Sequence, residues 1–240
     1  MPVIDVAAAS KRYGDLKALD DVFLSVEKGE FFGFLGPNGA GKSTLLRILT
    51  GQLEQDSGSV AVLGIDNGHP ISVKRRIGIV PEAETPPSFL NSREYLSLVC
   101  RIRGLERIEE KVDRWMDFFG MEDRSKVLCK DLSKGQRQKV MLASAFIHEP
   151  PLLFLDEPFI NLDPIYQRRV REYLKKINGK GVTIFMCTHI LEIAEKLCTR
   201  VALINRGKVI GQGKLDEIKD SETEDLESVF MRMVEENSDV

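Results

Sequence analysis

The sequence of 240 residues predicts an α/β fold with a largely parallel sheet, an antiparallel β subdomain and an inserted α-helical subdomain. Short apolar runs alternate with helical patterns along most of the chain, which is the order of elements in a parallel α/β sheet. Other segments alternate apolar and polar residues, as half-exposed antiparallel strands do. One central stretch has a helical pattern almost throughout. We therefore predict a single domain over residues 1–240.

The strands of the parallel sheet are predicted from five short apolar runs, each bounded by glycine, proline or charged residues. Such runs are typical of strands that are buried on both faces. The predicted strands are 31–35, 77–80, 152–155, 182–187 and 201–204. The predicted helices that alternate with them are 42–50, 136–147, 166–177 and 190–197.

The antiparallel subdomain is predicted from segments 3–8, 19–26 and 60–63, in which apolar and polar residues alternate. The helical insertion is predicted at about residues 85–135, with its clearest part at 91–120. Asn91 with Glu94 three residues later resembles a capping box, which begins a helix. Gly104 separates two helices, and the second contains the only tryptophan, Trp115.

The last stretch, residues 216–240, is acidic and has a helical pattern, so we predict a C-terminal helical extension. Its apolar residues recur at three- and four-residue spacing, which favours docking of one helix face on the domain. These residues are Leu226, Val229, Phe230 and Met233.

The composition excludes several classes of protein. The 34 Lys and Arg residues against 37 Asp and Glu give a net charge of −3, whereas nucleic-acid-binding proteins usually carry a basic surplus. A basic cluster at 168–171 has acids nearby and is interpreted as a solvated helix face. The longest stretches without a charged residue have eleven residues, and a membrane-spanning helix needs about 20 apolar residues. Asp5 and the lack of a basic region before an apolar run argue against a signal peptide.

The four cysteines are Cys100, Cys129, Cys187 and Cys198. They form no CxxC pair, so a zinc site or a redox pair is not expected. We predict free, buried thiols in a reducing compartment.

A phosphate-binding loop is predicted from the pattern GxxxxGK[ST], which extends from Gly36 to Ser43 between a predicted strand and a predicted helix. The glycines let successive backbone N–H groups point at one centre, and the helix N-terminus adds partial positive charge. Lys42 is expected to reach the β- and γ-phosphates, and the Ser43 hydroxyl to ligate Mg²⁺. A glycine-rich turn is the plain alternative, but the strand and helix around the pattern favour a P-loop NTPase core. The predicted nucleotide-binding residues here are Gly36, Pro37, Asn38, Gly39, Ala40, Gly41, Lys42, Ser43 and Thr44.

Two acids, Asp156 and Glu157, follow the predicted strand 152–155. Ligands of open α/β sheets bind at this carboxyl edge. Asp156 is therefore predicted to hold the Mg²⁺ shell, and Glu157 to polarise a water that attacks the γ-phosphate. Alone, such a pair could simply cap the following helix, but beside a phosphate-binding loop it predicts a nucleotide hydrolase.

With these motifs in order, the whole chain resembles the ATP-binding subunit of an ATP-binding cassette (ABC) transporter. The segment from Leu132 to Gln136, LSKGQ, resembles the signature LSGGQ, and 161–164 resembles the loop after the catalytic acid. His189 resembles the switch histidine and Tyr13 the aromatic residue that stacks on adenine. Simpler readings are that Ser133 caps a helix, that His189 starts a helix, and that Tyr13 packs on the sheet.

The resemblance implies an ATP- and Mg²⁺-dependent ATPase that works as a head-to-tail dimer with a second copy or with a paralogous subunit. Its implied catalytic residues are Glu157, His189 and Lys42. Tyr13 would stack on the base, and the signature would approach the γ-phosphate held by the partner. The further implied nucleotide-binding residues are Ser133, Gly135, Gln136 and Asp163. The implied metal-site residues are Ser43, Asp156 and Glu82.

The chain departs from the family pattern at three places. Glu82 stands where the family most often has Gln, and it can accept but not donate a hydrogen bond as an amide does. Lys134 replaces a signature glycine, which requires a negative φ there. Residues 159–161 are more apolar than usual, so only Asp163 is securely matched in that loop.

Segments 89–96 and 225–230 resemble the ABC-2 group of exporters, and residues 148–159 together with Glu82 resemble its Ecs-type members. The resemblance implies that a separate transmembrane permease is the partner, and that the chain lies in the cytoplasm on the inner face of the membrane. No nucleic acid is expected as a partner. The alternative is a soluble ABC ATPase of another process, such as iron–sulphur cluster assembly.

Overall fold

The computed structural model describes residues 2–82, 85–221 and 224–237. Its strands in chain order are β1 (Ile4–Tyr13), β2 (Leu16–Val26), β3 (Phe31–Leu35), β4 (Ser57–Val62), β5 (Ile65–Asp66), β6 (Ile77–Val80), β7 (Leu152–Asp156), β8 (Thr183–Thr188), β9 (Arg200–Asn205) and β10 (Lys208–Lys214). Its helices are α1 (Lys42–Leu49), α2 (Pro70–Lys74), α3 (Ser92–Ile102), α4 (Ile108–Phe119), α5 (Lys134–Phe146), α6 (Pro164–Asn178), α7 (Leu191–Leu197) and α8 (Leu226–Glu236).

The main sheet has six strands in the order β10-β9-β3-β8-β7-β6. Every neighbouring pair is parallel except β9 and β10, which form an antiparallel hairpin at one edge. The five predicted strands of this sheet are confirmed, two of them at both ends and the other three with ends that differ by at most one residue. The hairpin strand β10 was not predicted, although Arg206 and Gly207, both with positive φ, form the tight turn before it.

The main sheet is buried on both faces because side chains of each strand alternate between two cores. In β3, Phe31 packs in one core and Phe32 in the other. In β7, Leu153 and Phe154 divide in the same way. Since both faces are apolar, these strands have uninterrupted apolar sequences.

The second sheet is antiparallel in the order β2-β1-β4-β5 and packs with α1 against one face of the main sheet. Its three predicted strands exist, but all three were predicted too short, and β2 begins at Leu16 rather than at residue 19. The first extends to Tyr13 rather than ending at residue 8, and β4 begins at Ser57 and ends before Leu63, which has φ 53°. The register of β1 shifts near Ala8, which has φ 51°, so simple alternation breaks there.

The other face of the main sheet is covered by the helices α3 to α8. The helix α3 begins with the predicted capping box, in which the Asn91 side chain accepts from the backbone N–H of Glu94 and the Glu94 carboxylate accepts from that of Asn91. Helix α4 follows a linker that contains Gly104, and its Trp115 packs on Phe119 and Phe146. The aromatic cluster joins the insertion to α5.

Among the described residues of the C-terminal extension only α8 is helical, and residues 216–221 form turns and bends, so the predicted start of the helix at about residue 216 was wrong. The side chains of Leu226 and Val229 are fully buried, and Met233 packs on β10 at Gly211. Lys219 pairs with Glu195 of α7, which fastens the non-helical part of the extension to the domain. The last residues of the predicted extension, 238–240, lie outside the described residues.

Among the described residues, none of the helices combines the length and the apolar composition that crossing a bilayer requires. All four cysteines are free and buried, as predicted. In the basic cluster of α6, Arg168 pairs with Glu172, while Arg169 donates to the carbonyl oxygen of Phe118 at 2.6 Å.

Candidate nucleotide site

The loop between β3 and α1 lies so close to neighbouring backbone at two positions that only glycine fits there. A Cβ on Gly36 would collide with the carbonyl oxygen of Ile204, and one on Gly41 would collide with that of Ala18. Gly41 also has φ 111° and is the N-cap of α1, without a side-chain cap. The first amides of α1 are therefore left to an external acceptor, which is the arrangement that binds phosphate groups.

Lys42 is the first residue of α1, and its side chain bends back along the loop. Its ammonium donates to the carbonyl oxygens of Gly36 at 2.7 Å and Pro37 at 3.0 Å. The residue is only 6% exposed. The loop thus carries a buried positive charge at its centre, where it favours anionic ligands.

Asp156 ends β7 with a buried carboxyl group beside the loop. Burial is the main cause that raises its pKa to about 6, and Glu82 and Glu157 raise it further, while a hydrogen bond from Ser43 lowers it. Within the described part of the chain, Oδ1 of Asp156 has no hydrogen-bond partner. A buried, unpartnered carboxylate oxygen is costly unless a cation or a donor meets it.

This donor set fits Mg²⁺. The cation is commonly held by one or two carboxylates or hydroxyls together with phosphate oxygens of the substrate, rather than by an all-protein cage. Asp156 and Ser43 supply such a pair, and the exposed Glu82 lines the same cleft. The described residues contain no group of three or more His, Cys, Asp and Glu that could hold a metal by itself.

Glu157 lies at the carboxyl edge of the sheet and is 5% exposed. The parallel register pairs Asp156 with Cys187, so the next residues of the two strands come together. Oε2 of Glu157 accepts from the Thr188 hydroxyl at 2.8 Å. Oε1 accepts from the backbone N–H of His189 at 2.9 Å and lies 2.7 Å from His189 Nδ1. The carboxylate is thus held from three directions.

The structure brings most of the predicted residues into one cleft of about 280 Å³ between the two sheets. The exposed Tyr13, 46% of whose surface is accessible, and the buried acids Asp156 and Glu157 line the same cleft. The predicted residues that line it are Tyr13, Asn38, Gly39, Gly41, Lys42, Ser43, Thr44, Glu82, Asp156 and Glu157. Ala40, a residue of the same loop, is buried.

The predicted residues Gly36, Pro37 and His189 line a neighbouring cavity of about 560 Å³ that lies between α7 and α8. His189 therefore belongs to both regions, because its ring contacts Glu157 while its exposed side faces the cavity. The C-terminal extension lies beside this histidine, which the sequence did not predict.

Four further predicted residues line neither this cleft nor the neighbouring cavity of their own chain: Ser133, Gly135, Gln136 and Asp163. Ser133 is the N-cap of α5, in a capping box with Gln136, so the helix-capping interpretation of Ser133 is correct for this chain. Asp163 caps α6 by accepting from the backbone N–H groups of Ile165 and Tyr166. Lys134 is the first residue of α5 and is exposed, without the positive φ that a glycine would allow.

Sequence reasoning missed three residues of the site. Thr188 holds Glu157, and Leu16 and Ala18 line the cleft beside Tyr13. The position of Thr188 at the carboxyl end of a buried strand was a usable signal, since ligands gather at that edge. Leu16 and Ala18 gave no comparable signal, because they approach the loop only through the β1–β2 hairpin.

Comparison with known proteins identifies the family that this chain resembles. Residues 19–160 match the family model described as "ABC transporter". The chain is 37% identical to the "Nod factor export ATP-binding protein I" of Cupriavidus metallidurans over 224 residues, which span 92% of this chain and 74% of the relative.

Two solved structures share the fold. One, titled "Structure of ATP binding subunit of ABC transporter", superposes with a TM-score of 0.89 at 31% identity over 97% of this chain and 99% of the other. The second is a dimeric ATP-binding cassette in a post-hydrolysis state bound to ADP and Pi. It superposes with a TM-score of 0.82 at 25% identity over 88% of this chain and 98% of the other.

Proposed function

The chain belongs to the ABC transporter family as an ATP-binding protein, and we propose that it hydrolyses ATP with Mg²⁺ to drive a separate membrane-spanning permease. The observation that carries this proposal is the position of Glu157. Its carboxylate is held by Thr188 and His189 at the edge of the cleft that Lys42 and Asp156 also line.

We assign Glu157 the role of proton acceptor. Its two oxygens already accept from Thr188 and from the backbone of His189, which fix the carboxylate plane but leave lone pairs free. A water on that carboxylate would be oriented toward a γ-phosphate lying over Lys42. The proton passes from water to Glu157 as the new P–O bond forms and the bond to the β-phosphate oxygen breaks. The His189 ring, 2.7 Å away, is placed to stabilise the charge or take the proton.

The loop and Lys42 bind the phosphates by their N–H groups and ammonium charge. Ser43 and Asp156, with Glu82 nearby, are the residues that would hold Mg²⁺, which when bound neutralises phosphate charge. Tyr13 offers an exposed ring in the same cleft, and base stacking on such a ring contributes about 1–3 kcal/mol without selecting one base strongly.

Glu157→Gln tests this assignment, because it keeps the volume and hydrogen bonding but removes the proton acceptor. We expect ATP binding close to that of the parent and turnover reduced by about 100-fold or more. The matched control is Glu192→Gln, on the exposed start of α7. Steady-state phosphate release decides the outcome, and turnover of Glu157→Gln within threefold of the parent would remove Glu157 from this role.

We propose further that two copies act head to tail. Ser133, Gly135 and Gln136 lie outside the cleft of their own chain, so a second copy is needed to bring a signature to the nucleotide. A two-fold pair then uses the same surfaces twice and encloses two nucleotides. The similar solved structure that is dimeric and bound to ADP and Pi supports the pairing of two copies. A paralogous subunit could take the place of the second copy.

For the permease, we propose the groove between α3 and α5 as the contact surface. This groove of about 270 Å³ is lined by Tyr95, Val99 and Ile102 of α3 and by Met141 of α5. Ile102 is 75% exposed, and Leu98, one turn earlier, is 41% exposed. Exposed apolar side chains beside a groove are typical of a protein-binding surface.

The permease is proposed to be an ABC-2 type exporter, because a similar ATP-binding protein is named for Nod factor export. The chain would then lie on the cytoplasmic face of the membrane. Ile102→Arg should reduce recovery of the chain with the membrane fraction of its native cells at least fivefold. Phe23→Arg is the control, since Phe23 is equally apolar and 56% exposed but lies on β2. Equal recovery of both variants with membranes would contradict this surface.

A further inference from the structure

The signature helix α5 is fastened to the loop that follows Glu157 in the same chain. Gln138 donates from Nε2 to the carbonyl oxygen of Pro158 at 3.2 Å. Near the helix start, a Cβ on Gly135 would lie 2.5 Å from the carbonyl oxygen of Asn161, so helix and loop are in direct backbone contact. The loop thus cannot move away from α5 without breaking these contacts.

Lys139 makes a second contact between α5 and the far end of the loop. Its ammonium lies 3.2 Å from the centre of the Tyr166 ring and 3.7 Å from the Asp163 carboxylate. The side chain is 11% exposed, so the cation is largely withdrawn from water. Cation–π contacts strengthen when the cation is desolvated. Asp163 and Tyr166 belong to the start of α6, which the loop enters.

The loop itself is in an unusual conformation. Glu157 has φ 48° and Asn161 has φ 65°, both in the left-handed region that residues other than glycine rarely adopt. Such backbone persists only where its surroundings impose it. The side of α6 contributes as well, because Gln167 donates to the carbonyl oxygens of Phe159 and Leu162.

We propose that Gln138 and Lys139 are positioning residues for Glu157 of their own chain. Through these two residues, the nucleotide bound at the signature of a chain controls where the Glu157 carboxylate of that chain lies. The proposal rests on the proposed function, since it requires the head-to-tail pair. In that pair, Ser133 at the start of α5 meets the nucleotide held by the second copy. Gln138 follows five residues later, about 7.5 Å along the helix.

The physical reason is the stiffness of α5. A helix of 13 residues that is packed over much of its length moves as one body. A shift at its start therefore moves Gln138 and Lys139 together, and with them the loop and the carboxylate. The two active sites of a pair are then coupled, because each signature helix contacts the nucleotide in one site and positions Glu157 in the other.

Four variants test the proposal by ATP hydrolysis. Gln138→Leu removes the hydrogen bond at similar volume, and Lys139→Met removes the cation. Lys139→Arg keeps the cation as the conservative variant. Gln167→Leu is the matched control, since it loosens the loop from α6 and leaves α5 attached.

We expect a parent Hill coefficient for ATP above unity. In Gln138→Leu and Lys139→Met the Hill coefficient should fall to unity and kcat should fall about three- to tenfold. The KM should change less than about twofold, since neither side chain lines the cleft of its own chain. Lys139→Arg should keep the parent coefficient. Gln167→Leu should lower kcat but keep the coefficient. A non-cooperative parent, unchanged cooperativity in both α5 variants, or equal loss in Gln167→Leu would overturn the proposal.

Amide hydrogen exchange separates this outcome from failure of the proposed function. The N–H groups of Ile160 and Leu162 are bonded within the loop, to Glu157 and Phe159 respectively. In the nucleotide-free chain, both should exchange at least threefold faster in Gln138→Leu than in the parent. Unchanged exchange overturns the inference whether or not the parent hydrolyses ATP. A parent without ATPase activity but with the expected exchange would contradict only the proposed function.

Discussion

Replacing Asp156 by Asn is expected to stabilise the nucleotide-free protein while abolishing its response to Mg²⁺. The carboxyl group is 3% exposed, and its Oδ1 has no hydrogen-bond partner within the described part of the chain. Burial is the main reason that its pKa rises from 3.8 to about 6. The ionised form is thus disfavoured in the folded state, and Asn removes that ionisation at nearly constant shape.

The magnitude follows from the pKa. At about 1.4 kcal/mol per pKa unit, ionising Asp156 at pH 7.5 costs the folded state about 3 kcal/mol relative to the unfolded chain. The carboxamide brings buried N–H donors that need partners of their own, which costs about half of the 3 kcal/mol gained. We therefore expect a net stabilisation of about 1.5 kcal/mol. For a domain of this size, about 1.5 kcal/mol corresponds to a Tm increase of about 3–6 °C.

The pH dependence gives the sign of the effect. Between pH 3.8 and about 6 the folded protein keeps a proton that the unfolded chain has lost. The stability that the retained proton on Asp156 contributes is therefore fully present below pH 3.8 and is lost as the pH rises through 6. At pH 5 ionising Asp156 costs the folded state only about 1.6 kcal/mol, which the pH-independent cost of the buried amide donors offsets almost fully, so the Tm advantage of Asp156→Asn should nearly vanish there.

Thermal unfolding monitored by circular dichroism at pH 5 and pH 7.5 measures this difference, with Asp5→Asn as the control because Asp5 is an exposed acid on β1. In a second assay, adding Mg²⁺ to the ATP-bound parent should raise its Tm, since the ligand binds the folded state. The variant should show no such rise. A variant less stable than the parent at pH 7.5, or one that still responds to Mg²⁺, would refute the reasoning on Asp156.

Three further outcomes are expected. Lys42→Ala should weaken ATP binding about 10- to 100-fold but AMP binding less than about threefold, because AMP lacks the β- and γ-phosphates. Calorimetric titration of both nucleotides distinguishes this result from general unfolding, which would weaken the binding of both equally. Ser133→Arg, made in Glu157→Gln, should abolish ATP-dependent dimers in light scattering and leave ATP binding by the monomer within about threefold; persistent dimers would exclude a composite site. Gly36→Ala should cost about 1–3 kcal/mol in urea unfolding, because its Cβ collides with the carbonyl oxygen of Ile204, and an unchanged midpoint would contradict that packing.

Much of the fold was predictable because its signals are local. The strands of the main sheet are contiguous apolar runs, since both faces of that sheet are covered. The capping box at Asn91 also lies within four residues. By contrast, β10 has one face of mixed polarity and two internal glycines, and only its antiparallel pairing with β9 makes it a strand. The described residues 216–221, before α8, have a helical pattern in the sequence but form turns and bends in the structure.

The sequence by itself determined the phosphate-binding loop, because Gly36 to Ser43 act through their own backbone and lie in one stretch of chain. It also determined that Asp156 and Glu157 follow a buried strand. Only the tertiary structure decided how Glu157 is held, since Thr188 and His189 lie 31 and 32 residues away along the chain. The parallel pairing of β7 with β8 closes that distance. Burial, which is also a property of the whole fold, left Oδ1 of Asp156 without a partner and raised its pKa.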